Sequence, residues 1–147
     1  MAHAASEGFP ALSIQQPAAD LILAGAKRTE YRSRRTSFAG NVLIHASKRI
    51  NRAAMENKAK LLKRLGCKGV RGAIVGMVDI VNCEKRGPDD FRYRLRNPVH
   101  FRKPIPLKGQ VGFFRVPTRL LAGTPAAQAK PGRFAHERRA LAAGAGR

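Results

Sequence analysis

The sequence has no Trp, two Cys and nine acidic residues against 29 Lys and Arg over 147 residues. Its cysteines, Cys67 and Cys83, lack metal-ligand spacing and are too few for a disulfide framework, so we expect reduced thiols and no metal site. It contains no run of about 18 apolar residues. Residues 1–10 have neither the basic start nor the apolar core of a secretory signal. We therefore expect a cytoplasmic protein without a membrane span.

Glycine-rich phosphate loops are also missing, because neither G-x-G-x-x-G nor G-x-x-x-x-G-K-[ST] occurs. We expect no nucleotide cofactor, nor any other. What the sequence has in excess is positive charge, with a formal net charge of +20. Such a charge on a small domain attracts polyanions, of which nucleic acid is the commonest inside cells.

Two segments carry most of this charge. Residues 27–71 hold 14 basic residues against Glu30 and Glu56, and residues 84–119 hold 10 basic residues against 3 acidic ones. Apolar, nearly uncharged segments lie between them. The pattern predicts a basic face on a compact body, and the alternative is a generally solvated surface.

Alternation, apolar runs and stop signals predict strands over residues 11–14, 29–33, 41–46, 73–81 and 110–116, and helices over 17–24 and 51–65. Residues 84–108 contain four prolines, which predicts a long loop. A doubly wound parallel sheet would need more helices. The pattern predicts a small α+β barrel-like domain over residues 9–118, a flexible N-terminus over 1–8 and a disordered basic tail over 119–147.

Several segments, taken in order, resemble one family. Residues 11–27 (ALSIQQPAADLILAGAK) resemble the opening motif of ASCH domains, and the likeness continues through residues 30–36, 43–48, 72–83, 95–98 and 104–114. The resemblance implies a PUA-like β-barrel of five to six strands with two to three flanking helices. It also implies a cleft between the barrel and its first helices, and a role in binding RNA.

The resemblance also implies two possible enzymatic activities. Some similar proteins hydrolyse the acetyl amide of a modified cytidine nucleoside, and others are ribonucleases. The amidohydrolases place a Lys after the helix-ending Gly and a nucleophilic Thr three residues later. Lys27 matches that Lys, but Glu30 stands at the Thr position, and a carboxylate cannot be acylated and regenerated like a hydroxyl. Binding is favoured over hydrolysis, and Lys27, Glu30 and His45 are the catalytic candidates of the enzymatic alternative.

Members of this family commonly carry Trp at three positions that hold Ala18, Arg34 and Tyr93 in this chain. Two of the three rings are therefore missing. We expect binding to depend more on phosphate attraction and less on base stacking. Arg34 and Tyr93 are the stacking candidates at these positions, since a guanidinium plane also stacks on bases.

The predicted binding site combines a cleft with a basic surface. Strand alternation puts Glu30 and Arg32 on one face, near Lys27, where the three can hold a phosphate or a base edge. The alternative is a surface ion-pair cluster. The predicted nucleic-acid-binding residues are Lys27, Glu30, Arg32, Arg34, His45, Lys48, Lys60, Lys63, Arg64 and Tyr93.

RNA is the partner that the sequence favours, and DNA is an alternative. The basic side chains of the second predicted helix and its flanks are expected to follow the phosphate backbone: Lys58, Lys60, Lys63, Arg64 and Lys68, joined by Arg49 and Arg52. A further alternative is an accessory module that binds another protein. A monomer is the default expectation for the oligomeric state.

Overall fold

The computed structural model describes residues 8–145 and shows an α+β fold, as predicted, built on one six-stranded mixed sheet. Four α-helices and two short 3-10 helices accompany the sheet. In chain order the elements are β1 (Phe9–Gln16), α1 (Ala18–Leu23), β2 (Thr29–Arg32), β3 (Gly40–Ile50), α2 (Arg52–Asn57), α3 (Ala59–Arg64), β4 (Ala73–Gly87), β5 (Asp90–Pro106), β6 (Phe113–Val116), the 3-10 helices Thr118–Leu121 and Pro125–Gln128, and α4 (Ala135–Ala145).

The strand order is β2-β5-β4-β3-β1-β6. The β1 and β3 strands are parallel, with Ala11 opposite Leu43, and every other neighbouring pair is antiparallel. The apolar run of β3 is buried from Val42 to Ala46, so this strand is covered on both faces. These central strands carry most of the hydrophobic core.

The sheet curls so that its two ends approach each other. The guanidinium of Arg32, on the edge strand β2, donates to the carbonyl oxygen of Ser13 on β1. The ring of Tyr93 on β5 lies 6.5 Å from the ring of Phe113 on β6, the other edge strand. Side chains thus bring together strands that are far apart in the sheet order, which gives the domain its barrel-like form.

The segment predicted as a long loop, residues 84–108, is instead a β-hairpin. The β4 strand continues to Gly87, and β5 pairs with it from Asp90 to Pro106. The β2 strand pairs with β5 from Phe91 to Arg94. Beyond Arg94, the outer edge of β5 has no partner strand. Pro98 and Pro104 fall at irregularities in the pairing of β5 with β4, and Pro106 is the last residue of β5, which are positions where sheets tolerate proline.

The second predicted helix is divided into α2 and α3 at Lys58, whose backbone leaves the helical region at φ −109° and ψ 13°. Asn51 caps α2 by accepting a hydrogen bond from the Ala54 N–H at 3.0 Å. Hydrogen bonds of 3.0 Å and 2.9 Å still join Lys58 to Ala54 and Leu62, so the chain keeps its direction through the break. In the described part of the chain, no helix is long and apolar enough to cross a membrane.

The segment predicted as a disordered tail packs on the domain as far as α4. Leu121 has no exposed surface and Ala126 is buried with it in the second core cluster. Backbone hydrogen bonds of 2.9 and 3.0 Å pair Arg133 with Ala39. A side chain at Gly132 would overlap the backbone of Ala39, so glycine permits this close approach. A few well-placed apolar groups therefore order a segment that composition alone assigned to a tail. Of the predicted flexible N-terminus, residues 1–7 lie outside the described residues.

Candidate nucleic-acid interface

A cleft of about 1300 Å³ opens between the sheet and the helices. Its walls are the ends of β1 and β3, the segment from Ala26 to Arg32, the helices α2 and α3, and the loop 107–112 that precedes β6. Pockets for single small molecules measure about 300–1,000 Å³. This cleft is large enough to hold a nucleotide together with part of its neighbours.

The cleft is strongly basic. Of the described residues that line it, seven are Lys or Arg, and Glu30 is the one acid. Sequence reasoning identified five of the cations, either in the cleft motif or in the basic stripe of the second helix: Lys27, Arg32, Lys48, Arg49 and Lys58. It missed Arg28, which adjoins Lys27, and Lys108, which comes from the distant loop before β6.

Glu30 lines the cleft and is only 9% exposed. Its Oε2 accepts a hydrogen bond of 2.9 Å from Arg32 Nε, and its Oε1 lies 3.9 Å from Lys27 Nζ. Lys27 Nζ also donates to the carbonyl oxygen of Thr29. The structure therefore brings together the three charged residues that strand alternation and the motif predicted, and it keeps Glu30 between two cations.

His45 is buried at 2% exposure and holds the loop 107–112 in place. Its Nε2 donates to the carbonyl oxygen of Leu107 at 2.7 Å, since a carbonyl can only accept. Its Nδ1 lies 3.4 Å from the Ser13 hydroxyl, which donates to the carbonyl oxygen of Gln110 at 2.6 Å. Gly109 packs directly against the imidazole ring. This candidate for catalysis and phosphate contact lines the cleft, and its ring also contacts the loop 107–112.

A second buried polar network fixes α1 beside the cleft. Gln16 Nε2 donates to Asp20 Oδ1 at 2.9 Å and to the carbonyl oxygen of Val70 at 2.8 Å. Asp20 Oδ2 accepts from the Gly69 N–H at 2.9 Å. These bonds tie the helix before Lys27 to the segment before β4. The i,i+4 spacing of Gln16 and Asp20 is the only sequence signal for them.

The predicted basic helix surface lies only partly in the cleft. Lys60, Lys63 and Arg64 are exposed on α3 and do not line it, whereas Lys58, at the break between the two helices, does. Lys48 lines the cleft, with its stem near Gly72. The chain therefore presents two basic regions, the cleft and the exposed side of α3.

Tyr93 belongs to the core, so its ring cannot serve as a stacking surface. Its side chain is 3% exposed, and its hydroxyl donates to the carbonyl oxygen of Arg34 at 2.9 Å. Burial raises the pKa of this phenol above its ordinary value. The Arg34 side chain is exposed but does not line the cleft. Neither of the two stacking candidates faces the site.

Tyr31 is the aromatic residue that does line the cleft, and sequence reasoning missed it. Lys27 Nζ and the Arg86 guanidinium carbon lie 5.1 and 4.9 Å from its ring centroid. A hydrogen bond with Thr29 and the charge of Arg86 lower the pKa of the Tyr31 phenol below its ordinary value. The alternation of β2 gave no signal for Tyr31, because it predicts this residue on the face opposite Glu30 and Arg32.

Neither cysteine forms a disulfide, and both thiols are half-buried. Burial, followed by the negative charge of Asp20, raises the pKa of the Cys67 thiol. Within residues 8–145, no three His, Cys, Asp or Glu side chains are grouped closely enough to hold a metal ion. The functional groups that line the cleft include ammonium, guanidinium, carboxylate, phenol, imidazole and hydroxyl groups.

Comparisons with known proteins agree with this architecture. The family model described as the ASCH domain matches residues 12–98, which is more than half of the chain. The crystal structure of ASCH from Zymomonas mobilis superimposes with a TM-score of 0.53 at 12% sequence identity, covering 83% of this chain and 96% of that one. At this identity the likeness shows the fold alone. No curated protein sequence matches the chain.

Proposed function

Because the chain belongs to the ASCH domain family, we propose that it binds RNA, holding one nucleotide in the cleft and the adjoining phosphates on its basic rim. The ASCH domain is a PUA-like domain, a class consistent with RNA binding. The observation that carries the proposal is the cleft itself, a space of about 1300 Å³ lined by seven cations and one acid.

The cations divide into two groups by their contacts. Lys27 and Arg32 are engaged with Glu30, so their charges are partly neutralised. The other five form no ion pair with any described residue and are available to phosphate oxygens: Arg28, Lys48, Arg49, Lys58 and Lys108. Phosphate contacts of this kind give affinity without reading the base.

Glu30 supplies the part of the site that can distinguish bases. Its Oε2 is occupied by Arg32, but its Oε1 lies 3.9 Å from Lys27 Nζ and retains acceptor capacity. A carboxylate accepts hydrogen bonds from exocyclic amino groups such as N4 of cytosine. We therefore expect a base with an amino group to be preferred over uracil.

RNA affinity measured by fluorescence anisotropy over a salt series tests the proposal. Affinity should fall as salt rises, with a slope of about −0.7 per phosphate contact for single strands. Lys58→Glu and Lys108→Glu should each weaken binding and flatten the slope. Lys130→Glu is the control, because Lys130 is exposed and does not line the cleft. An RNA affinity that changes neither with salt concentration nor in the two cleft variants would contradict the proposal.

A second candidate function is hydrolysis of an acetylated cytidine or of RNA. One observation favours it: the Lys27 ammonium and the Glu30 carboxylate lie 3.9 Å apart inside the cleft. Chromatography of acetylated cytidine and of RNA incubated with pure protein tests this function. Hydrolysis predicts turnover that Lys27→Ala abolishes, and the absence of turnover with the wild-type protein would reject it.

A further inference from the structure

Tyr31 presents its ring outside the core, at the rim of the cleft. The chain has seven Phe and two Tyr, all within the described residues, and Tyr31 is the one whose side chain is exposed, at 46%. On β2 it alternates with Glu30 and Arg32, which point inward. Single exposed apolar residues are common on protein surfaces, so the groups around this ring decide what it can bind.

The ring is surrounded by positive charge. Lys27 Nζ and the Arg86 guanidinium lie within 5.1 Å of its centroid, and Arg92 is its cross-strand neighbour on β5. Three acids belong to this group of charges, and each is already paired: Glu30 with Lys27 and Arg32, Glu84 with Arg92 and Arg94, and Asp90 with Arg86 at 4.0 Å. The surroundings of Tyr31 therefore suit a ligand that has both a flat ring and negative charge.

We propose that Tyr31 stacks on an unpaired base next to the nucleotide in the cleft, while Lys27 and Arg86 pair with the flanking phosphates. This inference rests on the proposed RNA binding and deepens it, since it names single-stranded RNA with an unpaired base at the cleft rim as the ligand. The two cations hold the ring in position before binding. Both sit on long side chains that can turn from the ring to a phosphate oxygen.

The chain offers a direct spectroscopic test, because it has no Trp and only two Tyr. Tyr93 is buried, so a base that stacks on Tyr31 should quench one of the two tyrosine signals. The probe is a single-stranded RNA of roughly eight nucleotides, within the usual site size of small domains. We expect quenching in the wild-type protein and none in Tyr31→Phe, which keeps a ring and should bind with nearly unchanged affinity.

Affinity measurements complete the test. Tyr31→Ala should weaken binding about tenfold, within the range found when base-stacking aromatics are replaced. The loss should disappear when the RNA carries abasic sugars, since the wild-type protein then has no base to stack on. Val81→Ala, at a similarly exposed apolar residue of the same sheet, should leave the affinity unchanged.

The outcomes separate this inference from the function on which it rests. Salt-sensitive RNA binding that is equal in the wild-type protein and Tyr31→Ala, without quenching, overturns the stacking role and leaves RNA binding intact. Absence of RNA binding overturns both. Equal quenching by polyglutamate also overturns the stacking role, because the surface would then recognise acidic polypeptide charge.

Discussion

Arg32 Nε and Glu30 Oε2, two residues apart on the edge strand β2, are joined across 2.9 Å inside the cleft. The same guanidinium donates to the Ser13 carbonyl oxygen on β1. One side chain thus neutralises the cleft acid and also links two strands that are not neighbours in the sheet. Binding chemistry and barrel closure depend on the same residue.

Arg32→Ala should lower the free energy of unfolding by about 2 kcal/mol, since hydrogen bonds to charged groups contribute about 1.5–3 kcal/mol each and Glu30 would keep only Lys27. Urea denaturation measures the change. Arg34→Ala is the matched control, because its side chain is exposed and only its backbone carbonyl is used, by Tyr93. Equal losses in the two variants would reject the closing role of Arg32.

Gly109→Ala should displace the loop 107–112, because the added Cβ would overlap the His45 ring. Overpacking of this kind costs about 1–3 kcal/mol, and the shifted loop should also weaken RNA binding. Thermal unfolding and anisotropy measure the two effects. At Gly87 a Cβ would meet nothing within 4 Å, so Gly87→Ala should change neither the stability nor the RNA affinity. If Gly109→Ala also leaves both unchanged, His45 does not hold the loop.

Reversing the charges of Lys60, Lys63 and Arg64 should weaken binding of an RNA strand but not of a mononucleotide. These side chains are exposed on α3 outside the cleft, so only a ligand that extends beyond the cleft can reach them. The slope of log affinity against log salt concentration should become less negative by about 0.7 for each phosphate contact removed from the longer RNA. Parallel titrations with both ligands make the comparison, and equal effects on both would place these residues in the nucleotide site.

Leu121→Ala should destabilise the domain by about 2–5 kcal/mol, the usual cost for a buried leucine. Leu121 has no exposed surface, whereas Leu141 on α4 is 53% exposed. Leu141→Ala should therefore have little effect on the urea midpoint. If both variants unfold like the wild-type protein, the segment after β6 does not contribute to the stability of the core.

The Glu137 carboxylate should make stability sensitive to acid. Burial raises the pKa of Glu137. The hydrogen bond from the Phe134 N–H and the Arg115 guanidinium lower the pKa by more than burial raises it, so the pKa lies below its ordinary value. Its stabilising contribution is complete above the ordinary Glu pKa of about 4.3. It is lost as the pH falls through the lower pKa of the folded protein.

The stability difference between the wild-type protein and Glu137→Gln should therefore be largest near neutral pH and shrink in acid. Melting temperatures measured from neutral to acidic pH follow the difference. Glu56→Gln is the control, since Glu56 is exposed on α2 and forms no ion pair with a described residue. If the stability difference between the two proteins stays constant with pH, the substitution acts through packing and not through the charge of Glu137.

The hairpin of β4 and β5 shows a limit of sequence patterns. Four prolines between residues 84 and 108 predicted a loop, yet β5 passes through that segment. Sheets tolerate proline at irregularities in the strand pairing. The sequence does not reveal that Pro98 and Pro104 fall at such irregularities between β5 and β4.

By itself, the sequence determined the charge, the α+β class, the main strands and the shared face of Glu30 and Arg32, because each depends on composition or on local periodicity. The tertiary structure decided which cations line the cleft, that Tyr93 is buried and Tyr31 exposed, and that Leu121 joins the core. Alternation shows which residues share a face of a strand. Only the packing of distant segments decides which of the two faces becomes interior.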